Sequence, residues 1–256
     1  MKKITLLLFF ISTVSFAQYA ETIATARPGQ AIGPRALGEK VFQVQSGVTY
    51  NAIDDNGYNL NATTLGTVFR YGLFERFDLN ALVVWQNDDY SYPSGDAQIS
   101  GISNTQVGVR YSITDNDGWL PSLGIQGRLL LKLQDKEYQR MDMGTNFVLA
   151  TGNTLTESLS LTTNWGMLHA GNDGDAQFSY VVNLSYGVSD KISVFAETYG
   201  GLNDFTSYYD TGLSYLINND LLLDFSTGWQ GQDGVTNWFV DCGVSWRFDW
   251  RDDAQQ

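Results

Sequence analysis

From residue 41 onward, apolar and polar residues alternate along the chain. The clearest run is residues 177–187, QFSYVVNLSYG, in which Phe178, Tyr180, Val182, Leu184 and Tyr186 share one face and mostly polar residues occupy the other. Because successive side chains of a strand point to opposite faces, this pattern predicts a β-strand with one apolar and one polar face.

The same alternation recurs along the rest of the chain and predicts twelve strands. Their predicted bounds are roughly 41–51, 61–71, 77–87, 101–112, 122–134, 143–151, 158–169, 177–187, 191–200, 208–217, 221–230 and 237–248. Strands of about ten residues are long enough to cross a membrane on a tilt, whereas strands of soluble proteins are typically about five or six residues long.

The connections between the strands alternate in character. Compact turns such as GLFER and INND alternate with mostly longer, more acidic segments such as NDDYSYPSGDAQIS. This asymmetry is typical of an outer-membrane barrel. The fold predicted for residues 41–248 is therefore all-β, a transmembrane antiparallel up-and-down β-barrel of about 12 strands. A soluble β-sandwich, which also has one apolar face per strand, is the alternative.

Aromatic residues make up 14% of the chain, and many lie near the ends of the apolar faces. Tyr and Trp have an apolar body and a polar tip, which suits a girdle at the level of the lipid headgroups. The predicted girdle residues are Tyr71, Trp85, Tyr111, Trp165, Tyr186, Trp229, Trp246 and Phe248.

The first residues, MKKITLLLFFISTVSFAQ, have a positive start, an apolar run and a small-x-small site ending at Ala17. This predicts a secretory signal peptide over 1–17 and, with the barrel, a location in the cell outer membrane of a Gram-negative-type cell. A retained anchor helix is the alternative. Residues 249–256 form the predicted C-terminal tail.

The formal net charge of −13 and the absence of a basic stripe argue against nucleic acid as a partner. The expected partners are outer-membrane lipid and a small solute that the sequence does not identify, and the expected state is a monomer. Cys242 is the sole cysteine of the chain, so no internal disulfide is expected.

Residues 18–40 combine basic residues with two of the four prolines of the chain. The segment precedes the first strand and is expected to start at the periplasmic opening, so we predict that it folds back into or across that opening as a candidate lumen plug. Arg27 or Arg35 would then pair with an acid such as Asp224 or Asp241. A loose periplasmic leader is the alternative.

Ten charged residues fall on the polar faces of the strands and are predicted to line the lumen: Arg70, Asp78, Arg110, Arg128, Lys132, Glu197, Asp210, Asp224, Asp241 and Arg247. The basic ones come mostly from strands 2, 4 and 5 and the acidic ones from strands 9 to 12. Two hypotheses remain open: the opposed walls create a transverse field that orients polar solutes, or the charges pair and fill the lumen.

Within that set, Arg128, Glu197 and Asp241 are expected near mid-depth, and Asp78 with Arg110 is interpreted as a structural pair. The acidic loops, among them Asp88, are expected to be solvated, with binding of divalent ions as the alternative. No metal site or cofactor is predicted, because the Asn/Asp/Gly runs at 115–118 and 172–175 lack the remaining ligands of a calcium loop.

Catalysis is not expected. A phospholipase barrel would need a serine two residues after its histidine, but Gly171 stands two residues after His169, the one histidine of the chain. A Ser nucleophile activated by a His base is therefore missing its nucleophile there.

The stretch ATARPGQ, followed after a spacer by GEKVFQVQSGVTY, resembles the opening of the transporter family named for the MetA pathway of phenol degradation. FRYGLFERFDL, LTESLSLTTNWG, AETYGG and GVSWRF resemble later blocks of that family. The sequence departs from the pattern at Ala26 and Gln45, where the family has acidic residues. The resemblance implies an exported outer-membrane barrel, expected here to be a channel or transporter for small solutes. A non-transporting structural or surface-binding barrel is the alternative.

Overall fold

A computed structural model describes residues 20–55, 57–232 and 235–251. The predicted signal peptide, residues 1–17, lies outside the described residues, as do residues 252–256 of the predicted tail. No helix in the described ranges is long and apolar enough to cross a membrane.

The described residues form a closed barrel in which each strand pairs antiparallel with its neighbours in the chain and the last strand pairs with the first. The twelve strands are β1 Val41–Asp55, β2 Tyr58–Phe74, β3 Phe77–Tyr92, β4 Gly95–Thr114, β5 Ser122–Leu130, β6 Gly144–Thr154, β7 Leu159–His169, β8 Gln177–Gly187, β9 Ile192–Gly201, β10 Tyr208–Asn218, β11 Leu221–Gln232 and β12 Val235–Asp249. A single 3-10 turn, Lys136–Tyr138, lies in the β5–β6 connection.

The two faces of the barrel reverse the arrangement of a soluble protein. In β1, Gln43 and Gln45 are fully buried inside, while Val48 and Tyr50 are exposed on the outer surface. The same holds around the ring, where most buried side chains are polar and the outer surface carries rows of exposed Leu, Val, Phe, Tyr and Trp. This arrangement, together with ring closure, excludes the soluble sandwich, because a soluble sheet buries its apolar face.

The predicted aromatic girdle lies on this outer surface. The exposed members of the set are Tyr71, Trp85, Tyr111, Trp165, Tyr186, Trp229 and Trp246. Phe248, which the prediction also included, is half-buried because its ring packs against Phe42 and Trp246.

The two ends of the barrel differ. The turn side carries connections of two to seven residues, such as Phe74 to Phe77 and Asn218 to Leu221, together with the start of β1 and the end of β12. The loop side carries the longest connection, residues 131–143, although β3 and β4 are joined there by two residues, because both strands extend into the segment predicted as a long loop. Strands β2 to β4 have 17, 16 and 20 residues, against 9–12 for β5 to β11, and their extra length projects on the loop side.

Strand bounds differ most from the prediction at β4, which begins at Gly95 and not at residue 101, whereas β5 ends before the predicted residue 134. Alternation in the sequence continues to residue 134, but pairing with β6 ends at Leu130 and Gly144. Beyond that point the Leu131 N–H donates to the carbonyl of Thr105, and the Asp135 carboxylate accepts from the Ile102 N–H at 2.7 Å. The chain therefore folds back over β4 instead of continuing the strand.

Candidate functional site in the barrel lumen

Residues 20–40, here called the inner segment, contact inward-facing side chains from many strands. Five of its backbone N–H groups donate to side chains of β1, β9, β7 and β4: Ala26 to Gln45, Gln30 and Ala31 to Glu197, Ile32 to Asn164, and Ala36 to Ser112. Because buried backbone groups require partners, these side chains fix the path of the segment.

Arg27 is the charged contact between the inner segment and the strands. Its Nη2 donates to Asp224 Oδ1 at 3.0 Å and its Nε to Asp224 Oδ2 at 3.3 Å. Nη2 also donates to Asp241, whose other oxygen accepts from the Thr49 hydroxyl at 2.5 Å. Both acids named in the sequence prediction therefore contact Arg27.

Two facing glycines make room for the Arg27 guanidinium. Gly47 of β1 and Gly243 of β12 are directly opposite in register. A Cβ at either position would overlap guanidinium atoms. Glycine is therefore required at both positions because the Arg27 guanidinium lies against the backbone, and not because of an unusual backbone conformation.

Two further glycine niches hold the rest of the inner segment. Pro34 lies over Gly124 of β5 and Gly152 of β6, and the carbonyl of Gly38 lies over Gly72 of β2. An added Cβ at Gly124 or Gly72 would overlap backbone atoms of the segment. Glycines on the inner wall of the barrel therefore make room for the inner segment at several points along its length.

Glu197 is the main acceptor for the middle of the inner segment. It accepts from the backbone of Gln30 at 2.7 Å and of Ala31 at 3.0 Å, and from Asn183 Nδ2 at 3.0 Å. Asp210 of β10 is its register partner and is also buried. Two neighbouring carboxyl groups therefore face the segment from β9 and β10.

The basic side of the lumen contains Arg70, Arg110 and Arg128. Arg70 pairs with Asp78, Nη2 to Oδ2 at 2.5 Å, and donates to the carbonyl of Arg35 at 3.3 Å. This corrects the interpretation of Asp78 and Arg110 as the structural pair. They are register partners, but the carboxylate of Asp78 is aligned with the guanidinium of Arg70.

Arg110 and Arg128 contact neutral acceptors. Arg110 donates to Gln126 Oε1 at 2.7 Å and to the carbonyl of Gly33 at 3.2 Å. Arg128 Nε donates to Asn80 Oδ1 at 2.7 Å. These contacts link β3, β4 and β5 to each other and to the inner segment.

Arg247 lies on the acidic side near the turn-side opening. It donates to Asp220 Oδ1 at 2.7 Å and to the carbonyls of Ala20 and Glu21 at 2.6 and 2.9 Å. It therefore anchors the beginning of the inner segment.

Nine of the ten predicted lumen residues lie on the inner face, and Lys132 is the exception. It follows the end of β5, is exposed and donates to the carbonyl of Met141. Its predicted lumen position is wrong because the strand ends before it.

Arg35 was the alternative predicted partner for Asp224 or Asp241. Its side chain is exposed, and its contact with the barrel wall is made by its backbone carbonyl, which accepts a hydrogen bond from Arg70.

The sequence prediction placed Asp88 in a solvated loop, which is wrong. Asp88 lies in β3 on the inner face, is 2% exposed, and accepts from Gln86, Tyr90 and Tyr138 at 2.8, 3.3 and 3.1 Å. Burial and this carboxylate raise the pKa of the Tyr138 phenol above its usual range. The sequence does contain a signal for this position. Asp88 lies an even number of residues after Asp78 and Asn80, so along a continuous strand its side chain points to the same inner face.

Several cavities adjoin the inner segment, and three of them are lined by arginine side chains of the basic side. The loop-side cavity, of about 670 Å³, has Gln30 and Ile32 of the segment at its base and Arg128, Gln106, Gln126, Asn146, Asn164 and Tyr199 among its walls. A cavity of about 220 Å³ is lined by Arg70 and Arg110, and one of about 110 Å³ at the turn side by Arg35, Arg70, Arg76 and Arg247.

Catalytic and metal-binding features are sparse in the described ranges. His169 is exposed at the end of β7, where its Nδ1 accepts from the N–H of Gly171 at 3.4 Å. No three His, Cys, Asp or Glu side chains among the described residues are close enough together to hold a metal ion.

Solved structures with the same fold are outer-membrane barrels. The COG4313 outer membrane channel from Pseudomonas putida F1 is 14% identical, with a TM-score of 0.67, and the match covers 87% of this chain and 99% of that one. The translocator domain of the autotransporter NalP from Neisseria meningitidis is 14% identical, with a TM-score of 0.55 and coverage of 81% and 88%. The KdgM porin in complex with disordered oligogalacturonate is 16% identical, with a TM-score of 0.52 and coverage of 79% and 99%.

At these identities the matches show a shared fold and no more. A comparison with curated protein sequences found no significant match. The model of one protein family, described as "Putative MetA-pathway of phenol degradation", matches residues 25–248. The family and fold are those of channel and transporter barrels. Since the match spans most of the sequence, the chain belongs to this MetA-pathway family and is an outer-membrane-type β-barrel of the transporter, porin-like class.

Proposed function

We propose that this protein is a monomeric outer-membrane channel for small polar solutes and that its inner segment gates the lumen. The turn side would face the periplasm and the loop side the exterior, as in other barrels with this asymmetry. Its outer surface would contact lipid, and no catalytic chemistry is proposed.

The observation that carries the proposal is the polar attachment of the inner segment in glycine niches. Arg27 over Gly47 and Gly243, and the backbone contacts with Glu197 and Asn164, are charged or hydrogen-bonded. Water can replace each such bond at a net cost of about 0.5–1.5 kcal/mol for a neutral pair. A segment held this way can leave the lumen without exposing an apolar core.

Barrel size supports the same conclusion. Barrels of about 8 strands are filled by side chains, and those of about 16 hold an aqueous channel. Twelve strands leave a lumen of intermediate width, part of which the inner segment occupies. Its displacement would provide the path for the solute.

The opposed charges would orient a passing solute. Arg70, Arg110 and Arg128 lie on β2, β4 and β5, and the acids lie on β9 to β12. Walls of opposite charge create a transverse field that favours a defined orientation of a dipolar or charged solute.

A second candidate, a surface-binding barrel, is favoured by one specific feature. The loop-side extension of β2 to β4 carries a cluster of tyrosine rings, with Tyr58, Tyr90 and Tyr92 at centroid distances of 5.3 to 6.3 Å. Such amphipathic rings are common in contact surfaces.

Solute passage is tested by swelling of liposomes that contain the purified protein in an isosmotic arabinose solution. The channel proposal expects swelling, faster for Arg27→Gln than for the unmodified chain. Liposomes with heat-denatured protein serve as the control, and heat-modifiable gel migration verifies folding. If folded protein produced no swelling in either form, the surface-binding candidate would be favoured.

A further inference from the structure

The basic side of the lumen carries more positive charge than its own acids neutralise. Arg70, Arg110 and Arg128 share this side with two acids. Asp78 pairs with Arg70, and Asp88 accepts from Gln86, Tyr90 and Tyr138. Arg110 is 3% exposed, and its donated bonds go to an amide oxygen and a backbone carbonyl. A guanidinium keeps its charge in proteins, and buried charges are normally paired.

Arg128 is the member of this group that faces open space. Its Nε is held by Asn80 at 2.7 Å, and within the described part of the chain no carboxylate lies within ion-pair distance of it. Its side chain lines the loop-side cavity of about 670 Å³. The guanidinium fork is therefore positioned by Asn80, with its remaining donors available to a ligand.

The other walls of the loop-side cavity are suited to the body of an organic molecule. Amide side chains of Gln106, Gln126, Asn146 and Asn164 can both donate and accept hydrogen bonds. The ring of Tyr199, which stacks on Tyr208 at a centroid distance of 5.3 Å, offers a flat surface. A cavity of this size lies within the usual range for small-molecule sites, about 300–1,000 Å³.

We propose that the loop-side cavity binds a small organic carboxylate, whose carboxylate pairs with Arg128 and whose body contacts the amides and Tyr199. The inference deepens the proposed channel function, on which it rests, by naming the class of solute. A planar carboxylate matches the donor fork of a guanidinium in a bidentate pair. Asp204 also lines this cavity, and it accepts from the backbone and hydroxyl of Thr206 at 3.3 and 3.1 Å.

Arginines continue along the same side toward the turn-side opening. Arg70 and Arg110 line the cavity of about 220 Å³, and Arg35, Arg70 and Arg247 line the one of about 110 Å³. An anion bound first at Arg128 would therefore meet further guanidinium groups on its way to the turn side.

The test uses the full-length protein in detergent and titrates matched pairs of probes by calorimetry: galacturonate against galactose, and benzoate against benzyl alcohol. At least one carboxylate should bind about tenfold or more tightly than its uncharged match, the size expected of one charge-assisted pair. Arg128→Gln should remove that preference, and Arg128→Lys should restore part of it. Lys191→Gln, in the exposed β8–β9 connection on the turn side, is the control and should bind like the unmodified chain.

Asn80→Asp keeps the test decisive if Arg128→Gln fails to fold. This near-isosteric change places a carboxylate at the atom that already accepts from Arg128, so it should compete with the probe and weaken binding to a similar extent. Equal binding of charged and uncharged probes, or affinity unchanged in both variants, would overturn the inference.

If arabinose enters liposomes but no carboxylate binds, the inference fails and the channel stands. If a carboxylate binds through Arg128 but no solute passes, the channel proposal fails and the site stands.

Discussion

The Arg27 guanidinium donates to the Asp224 carboxylate at 3.0 Å, a contact that joins residues 197 positions apart in the chain. The Asp224 side chain is fully buried, and that of Arg27 is 19% exposed. A buried carboxylate without its partner is costly, so each residue stabilises the buried position of the other. This contact ties the inner segment to β11 and, through Asp241, to β12.

Replacing Arg27 should loosen the inner segment. Arg27→Gln removes bonds to two carboxylates, and a hydrogen bond to a charged group contributes about 1.5–3 kcal/mol. We expect a higher open probability in planar bilayers. Arg35→Gln is the matched control, because Arg35 lies in the same segment and its guanidinium contacts neither Asp224 nor Asp241. Equal effects of the two substitutions would contradict the role of Arg27.

Much of this architecture could be predicted from the sequence. Alternation with period two identified all twelve strands, because lipid outside and polar groups inside impose opposite requirements on successive residues. The same parity placed Arg70, Glu197 and Asp241 on the inner face. The partners of Arg27 followed from the position of the segment at the turn-side opening and from the acids on the last strands.

What the sequence could not provide was where each strand stops pairing. Alternation continues past Leu130 and therefore predicts a lumen position for Lys132, although the strand ends before it. The predicted β3 ends at residue 87, so Asp88 falls in a predicted loop, whereas the strand continues to Tyr92. Pairing depends on the neighbouring strand and not on local pattern. The role of Gly47 was also hidden, because a glycine gives no indication of the side chain that will lie against it.

The glycine niche can be tested by adding a single methyl group. The new Cβ of Gly47→Ala would overlap the Arg27 guanidinium and should displace the segment, at a cost of about 1–3 kcal/mol for an overpacked site. Gly66→Ala is the control, because Gly66 is the register partner of Gly47 on β2 and its Cβ would have one neighbour, Val84, at 4.0 Å. Protease sensitivity of residues 20–40 should rise in the first variant and stay unchanged in the second.

Arginine on the outer surface should impair insertion into the membrane. Val182 is exposed in the middle of β8, and Val182→Arg should reduce the free energy of folding into liposomes by about 2–4 kcal/mol if the residue faces the bilayer midplane. Trp119→Arg, in the exposed β4–β5 connection on the turn side, is the control and should change little. Denaturant titration in liposomes gives both values, and equal values would contradict a lipid-facing position for Val182.

Cys242 provides a natural probe of the same surface. It is exposed on β12 opposite Val48 and Phe225, on the apolar face. Since a charged methanethiosulfonate partitions poorly into lipid, it should label Cys242 slowly in liposomes and completely in denaturant. Trp119→Cys in a Cys242→Ser background should label rapidly, as measured by mass spectrometry. Rapid labelling of Cys242 itself in liposomes would place it in water.

Single-channel conductance of the chain lacking residues 20–36 tests the central claim most directly. If these residues occupy the conducting path, their deletion should give a larger and steadier conductance than the intact chain shows under the same salt and voltage, with heat-modifiable migration retained. An unchanged conductance from correctly folded protein would contradict the assignment of the inner segment as the gate.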